Sequence, residues 1–255
     1  MSQPTGSKVA LVTGAGSGIG RAIALALARE GFSLTLVGRR SDPLRETARL
    51  AAPATYEMAV VDLATADACR AAVEACVACF GRLDVLVNNA GIGVLRPIGQ
   101  TSPELVEDSY RLNALAPAWT TLAAWPHFER QKAGCVVNIS SMASFDPFPG
   151  FFAYAGSKAA VNLQAASIAK EGAAIGVRAF AVAPGAVETA MLRASFDLAA
   201  LPAEQALDPS AVARVVLDCI SGVHDRYNGR TIPVLPESAK AGYRGWIRDH
   251  PPITP

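Results

Sequence analysis

Seven short runs of branched and apolar residues recur along the chain, separated by longer stretches of helical character, and this alternation leaves few folds open. KVALVT (8–13), SLTLVG (33–38), YEMAVV (56–61), LDVLVN (83–88), CVVNIS (135–140), VRAFAV (177–182) and RTIPVL (230–235) read as strands. Helices are expected near 19–30, 42–51, 65–80, 102–130, 151–172 and 209–221. Strands apolar on both faces belong in a parallel sheet covered on both sides. The expected fold is a doubly wound α/β sheet of about seven strands with helices on both faces. No repeat, low-complexity tract or linker interrupts the pattern, so residues 1–255 are expected to form one domain, with its core at about 8–235 and a distinct tail at 236–255.

Bulk properties exclude several function classes. A chain that is 51% hydrophobic and 18% charged can bury a large core. The net charge is +1 and no basic stripe interleaved with aromatics occurs, which argues against a nucleic-acid partner. Apolar runs such as 22–28 are far shorter than the ~18 residues of a membrane span. The amino terminus runs from Lys8 into VALV and then glycines, a poor signal peptide, so a cytoplasmic protein is expected. Cys76 and Cys79 form a C-x-x-C, but no second pair or spaced histidines complete a zinc site. These cysteines read as reduced and structural, and no metal is expected.

The candidate chemistry lies at strand ends. TGAGSGIG, Thr13 to Gly20, joins the first strand to the first helix and contains Gly14, Ser17, Gly18, Ile19 and Gly20. Glycines there let backbone approach a dinucleotide pyrophosphate, which the helix amino terminus favours. No Gly-Lys-Ser/Thr follows, so it is not a P-loop, and an ordinary turn is the plainer alternative. Strand two ends in Gly38, Arg39 and Arg40, with no acid before Asp42. Two guanidinium groups without a carboxylate suit a ribose 2′-phosphate; exposed surface arginines are the alternative. Asp62-Leu63 and NNAG (88–91) follow strands three and four, where open α/β sheets bind ligands. In YAGSK, Tyr154 and Lys158 share a helix face. A nearby ammonium lowers the pKa of a tyrosine from near ~10 and suits it to proton transfer. Ser141 ends the preceding strand close by.

With these elements in place, the sequence resembles the short-chain dehydrogenase/reductase family, whose fold is of Rossmann type. The resemblance rests on TGAGSGIG, Asp62-Leu63, NNAG, Asn113, ISS (139–141), Y-x-x-x-K (154–158) and PGAVET (184–189), in order across 8–235. It implies Tyr154 as proton donor and acceptor, Ser141 bound to the substrate oxygen, and Lys158 on the nicotinamide ribose. Asn113 would hold a relay water. The implied cofactor site comprises Gly14, Ser17, Gly18, Ile19, Gly20, Arg39, Arg40, Asp62, Leu63, Asn89, Gly91, Tyr154, Lys158, Pro184, Val187 and Thr189. Within it Asn89, Val187 and Thr189 would line the nicotinamide half and Asp62 the adenine. Pro117 adds a physical point, since it has no N–H to close a helical bond onto the Asn113 carbonyl.

The function these features imply is an oxidoreductase that interconverts a carbonyl and a secondary alcohol, with NADP(H) preferred over NAD(H). Two alternatives stand beside it. One is a catalytically idle dinucleotide sensor, which the intact Asn113, Ser141, Tyr154 and Lys158 oppose; the other is a methyltransferase, which gives Tyr154 and Lys158 no work. Phe145, Phe148, Phe151, Phe152, Met191, Leu192 and Phe196 suggest a bulky apolar or aromatic substrate. The apolar helices at 102–130 and 151–172 suggest a homodimer or homotetramer, through a face this family commonly uses for dimers. The tail, with Tyr243, Trp246 and Ile247, departs from the family's usual ending and could pack on a neighbour, cover the site or stay loose.

Overall fold

The computed structural model describes residues 6–237, so the tail beyond Glu237 lies outside the described residues. Among them, seven strands form one parallel sheet: β1 (Val9–Thr13), β2 (Ser33–Gly38), β3 (Tyr56–Val60), β4 (Val85–Asn88), β5 (Gly134–Ile139), β6 (Val177–Pro184) and β7 (Thr231–Val234). Their order is β3-β2-β1-β4-β5-β6-β7. The chain steps outward from β1 to β3, then returns to lay β4 on the other side of β1. That reversal opens a crevice beyond the carboxyl ends of β1 and β4, where such sheets bind ligands.

The helices are α1 (Gly18–Arg29), α2 (Ser41–Leu50), α3 (Ala66–Phe80), α4 (Pro103–Tyr110), α5 (Ala116–Gln131), α6 (Phe152–Gly172), the single turn α7 (Ala190–Arg193) and α8 (Pro209–Ser221). Their ends follow local chemistry. Thr65 caps α3 by accepting the Ala68 N–H at 3.2 Å, and Asp208 caps α8 by accepting that of Ser210 at 2.8 Å. Gly81 and Gly222 close the same helices in the left-handed region, at φ 72° and 97°. Side chains alternate across β1, which splits the core in two. Ala10 and Val12 face α1, α2 and α8 with Ile23, Leu27 and Val216, whereas Val9 and Leu11 face α3, α5 and α6 with Val73 and Phe128.

One expected element is corrected. The single helix expected at 102–130 is two helices joined by a π-turn at Arg111–Leu115. The Ala116 N–H donates to the Arg111 carbonyl five residues back, and Pro117 has no N–H to continue the regular pattern. Strand β6 also outruns its expected end, because Pro184 still pairs in register with Val234 of β7.

Cys69, Cys76 and Cys135 are buried, which pushes their thiols up to about 12, far from ionising at neutral pH. Helix packing sets His127 Nε2 3.2 Å from Glu74 Oε1, and His224 Nε2 lies 3.6 Å from Asp218 Oδ2. Among the described residues no helix is long and apolar enough to cross a membrane.

Candidate active site

A cleft of about 770 Å³ runs along the crevice from the carboxyl ends of β2 and β3 to those of β5 and β6. Its floor is the loop that leaves β1. Gly14 has φ +66° and Gly18 φ +52°, conformations that side chains resist. A Cβ at Gly14 would sit 2.7 Å from Asn89 Nδ2, and one at Gly18 would sit 3.1 Å from Thr189 Cγ2. Ser17 precedes α1 without capping it, so its hydroxyl and the first amides of the helix are available to an anion.

This floor is locked from two sides. Asn89 Nδ2 donates to the Thr13 carbonyl at 2.9 Å, while Thr13 Oγ1 accepts the N–H groups of Asn89 and Ala90. On the far side Arg21 donates to the Gly16 carbonyl at 2.6 Å and to Thr47 Oγ1 at 3.0 Å. Sequence reasoning missed Arg21 and Thr47. Nothing in a helical arginine and threonine indicates a partner 26 residues away. Gly20 is not in the cleft wall; it lies beneath, where a Cβ would overlap the Gly14 carbonyl and Asn89 Nδ2. Gly20→Ala is therefore expected to destabilise the chain by about 1–3 kcal/mol through overpacking. Thermal unfolding checks this, and an unchanged Tm would contradict the close packing of α1 on the Gly14 backbone and Asn89.

At one end of the cleft stand Gly38, Arg39, Arg40, Asp62 and Leu63. Arg39 Nη1 is 3.9 Å from Asp62 Oδ2, a loose pair between two exposed side chains. No acid follows β2 directly.

Ser141, Tyr154 and Lys158 line the other end. Ser141 Oγ accepts the Ala143 N–H at 3.2 Å, which leaves its own proton to point elsewhere. Tyr154 and Lys158 occupy the first two turns of α6, and the Lys158 ammonium lies 5.9 Å from the centre of the tyrosine ring. Lys158 is buried and donates to the Ile139 carbonyl at 2.8 Å. Burial pushes its pKa down to about 8. Here an expectation is corrected: in the protein alone the pKa of Tyr154 is raised, because burial outweighs the opposing hydrogen bond from Ser141. Lys158 sits beside the ring with one proton committed to Ile139, and it does not reverse that direction.

Asn113 is buried behind this end and lines no part of the cleft. Its side chain clamps the loop after β4. Oδ1 accepts the Ile92 N–H at 2.8 Å, while Nδ2 donates to the Ile92 carbonyl at 2.9 Å and to Ser157 Oγ at 3.0 Å. The amide is thus spent on positioning, and the residue itself lies within the π-turn.

Gly91, Pro184, Val187 and Thr189 complete the wall between the two ends. Beyond Tyr154 the cleft becomes apolar. The rings of Phe148, Phe151 and Phe196 stand edge to face with centroids 6.4 Å apart, and Phe151 is 5.1 Å from Tyr154. Met191 and Leu192 join them. Phe145 and Phe152, expected here, do not line the cleft, and Phe152 is 57% exposed. Of the expected catalytic and cofactor residues, the structure brings all into the cleft wall except Gly20 and Asn113, which support it from behind.

Known proteins match this arrangement. The sequence model of the short chain dehydrogenase family matches residues 8–198. An uncharacterized oxidoreductase of Staphylococcus aureus strain N315 is 32% identical over 211 residues, covering 82% of this chain and 89% of that protein. One from Staphylococcus saprophyticus is 34% identical over 213 residues, with the same shares covered. Among solved structures, levodione reductase superimposes with a TM-score of 0.86 at 28% identity, over 92% of this chain and 98% of that one.

Proposed function

The chain belongs to the short-chain dehydrogenase family, oxidoreductases that use a nicotinamide dinucleotide, and we propose that it interconverts a carbonyl and a secondary alcohol with NADP(H). One observation carries this reading. A single cleft joins a glycine floor at a helix amino terminus to the half-buried Ser141 and Tyr154 and the buried Lys158. The residues present fit such a cofactor, since the glycine positions tolerate no Cβ and Ser17 and the α1 amides are left for a pyrophosphate. Arg39 and Arg40 would hold the 2′-phosphate, Asp62 and Leu63 would border the adenine, and Val187 and Thr189 would border the nicotinamide. When bound, the dinucleotide supplies or accepts the hydride at the substrate carbon.

The chain's own groups handle the proton. In reduction, Tyr154 Oη gives its proton to the carbonyl oxygen as that oxygen becomes an alkoxide; in oxidation it takes the proton back. Ser141, with Ala143 satisfying its acceptor side, donates a hydrogen bond to the same oxygen. Lys158 stabilises the phenolate left behind and offers its remaining protons to the ribose. The Asn113 carbonyl would hold the water that returns the proton.

Consumption of NADPH on a panel of aryl and alkyl ketones tests the reading; a protein that binds NADPH but reduces none of them would be an idle sensor. The shifted groups set a pH dependence. Tyr154, raised by burial, stays protonated across neutral pH, so carbonyl reduction is expected to be level there. Above about 8 Lys158 loses its charge, the phenolate loses its stabilising cation, and the rate should fall. A kcat for reduction that climbs through that range would contradict these roles.

The chain is read as one domain acting in the cytoplasm on a bulky apolar or aromatic small molecule. On α5 and α6, Leu122 and Leu163 are 70% and 75% exposed, and pairing these faces in a homo-oligomer would cover them. Light scattering is expected to give a dimer or larger species at micromolar concentration.

A further inference from the structure

Beyond Thr189 the chain crosses from the cofactor wall to the apolar half of the cleft, and one guanidinium ties the two together. Arg193 Nε donates to Glu188 Oε1 at 2.8 Å, and its Nη2 donates to Glu188 Oε2. Its Nη1 faces a turn of the following loop, reaching the carbonyls of Leu201 at 2.7 Å, Asp197 at 3.3 Å and Phe196 at 3.4 Å. The same turn closes on itself through the Leu201 N–H and the Asp197 carbonyl at 3.0 Å. Phe196 leads from this turn to Phe148 and Phe151, and Phe151 lies against Tyr154. Glu188, at the other end, sits between Val187 and Thr189, with its N–H fixed on the Leu207 carbonyl at 2.9 Å.

We propose that Arg193, anchored on Glu188, is a positioning residue that holds the 194–201 segment as the roof of the apolar half-site and so sets affinity for bulky carbonyl substrates. The substrate part rests on the reading of the cleft given above. The chemistry requires arginine. A planar fork engages a carboxylate on two nitrogens while a third faces the turn carbonyls, and a lysine ammonium, as a point charge, cannot span both. Without the guanidinium the turn keeps only its own short-range bonds, and Phe196 is free to leave its aromatic partners. The edge-to-face packing of Phe196 with rings from a different loop is what makes the effect selective. A bulky ketone needs the assembled roof, whereas a small aldehyde beside Tyr154 and Ser141 does not reach it.

The test uses the full-length chain as wild type, Arg193→Lys, Arg193→Ala and the charge-reversed pair Glu188→Arg/Arg193→Glu. Two readouts are taken: amide hydrogen exchange, and KM and kcat for a bulky aryl ketone and a small aldehyde. Exchange at 194–201 is expected to accelerate at least about 10-fold in both single variants, the lower end of what one hydrogen bond to a charged group is worth. Amides of β1, β4 and β5 should be unchanged. KM for the bulky ketone should rise by a similar factor with kcat nearly constant, while the aldehyde KM stays put. The charge-reversed pair should remain defective, because it restores the ion pair without restoring a donor to the turn. Unchanged exchange at 194–201 in Arg193→Lys overturns the proposal, as does full rescue by charge reversal or an equal KM rise for both substrates. A wild type that reduces no carbonyl compound overturns the functional reading and the substrate part with it, whereas the exchange measurement still decides the clamp.

Discussion

Tyr154→Phe is expected to lower kcat for carbonyl reduction by ~10²–10⁴, the usual contribution of a positioned proton-transfer group, and to leave NADPH affinity nearly intact. The substitution removes one oxygen from a ring that its surroundings hold in place. Phe151 packs 5.1 Å away, and Gly93 approaches so closely that a Cβ there would lie 3.4 Å from Tyr154 Cε2. The ring should therefore stay where it is, so the loss reports chemistry and not displacement. Removing a cleft-lining hydroxyl that prefers its neutral form costs little stability, so the fold should survive. Lys158→Ala is expected to differ in kind. It leaves the Ile139 carbonyl without its buried donor and takes away the cation beside the phenol, so turnover and cofactor affinity should fall together. A Tyr154→Phe protein that reduces ketones at the wild-type rate would remove the central assignment.

Cofactor choice should invert with two substitutions at the end of β2. Wild type is expected to favour NADPH over NADH in kcat/KM by roughly 10- to 150-fold, from one hydrogen bond to a charged group worth ~1.5–3 kcal/mol. Arg39→Ala should remove most of that preference, since Arg39 is exposed, loosely paired at 3.9 Å from Asp62 and able to turn toward a phosphate. In Gly38→Asp/Arg39→Ala the new carboxylate would repel a 2′-phosphate and accept a ribose hydroxyl, and NADH should become preferred. The structure adds a condition. A Cβ at Gly38 would come within 3.3 Å of Leu44 Cδ2, so the leucine tip must shift by a few tenths of an ångström. Because that tip is the flexible end of a side chain, a small drop in Tm is expected alongside the switch. A wild type that prefers NADH would mean that both arginines merely coat the surface.

Legibility in the sequence followed the range of the forces involved. Strand and helix order was readable because apolar period and turn chemistry act over a few residues: SLTLVG can scarcely be anything but a covered strand, and D-P before SAVARVV announces a helix. The same holds for the glycine floor, whose demand for bare backbone is written into TGAGSGIG. The 102–130 helix misled because Pro117 forbids one bond without saying how the chain will absorb the loss. The neighbouring π-turn is a choice made among packed helices.

What the sequence determined by itself is the fold, the order of its motifs and the set of residues to which hydride-transfer chemistry is assigned in the proposed function. Each depends on residue type and local spacing. Only the tertiary structure decided what those groups experience. Burial, which no spacing encodes, raises Tyr154 and lowers Lys158. Asn113 spends its amide on Ile92, a partner 21 residues away, and Arg193 gathers carbonyls from a turn whose path the sequence leaves open. Desolvation and long-range hydrogen bonds are properties of distance in space, and they exist only once the sheet has brought its strand ends together.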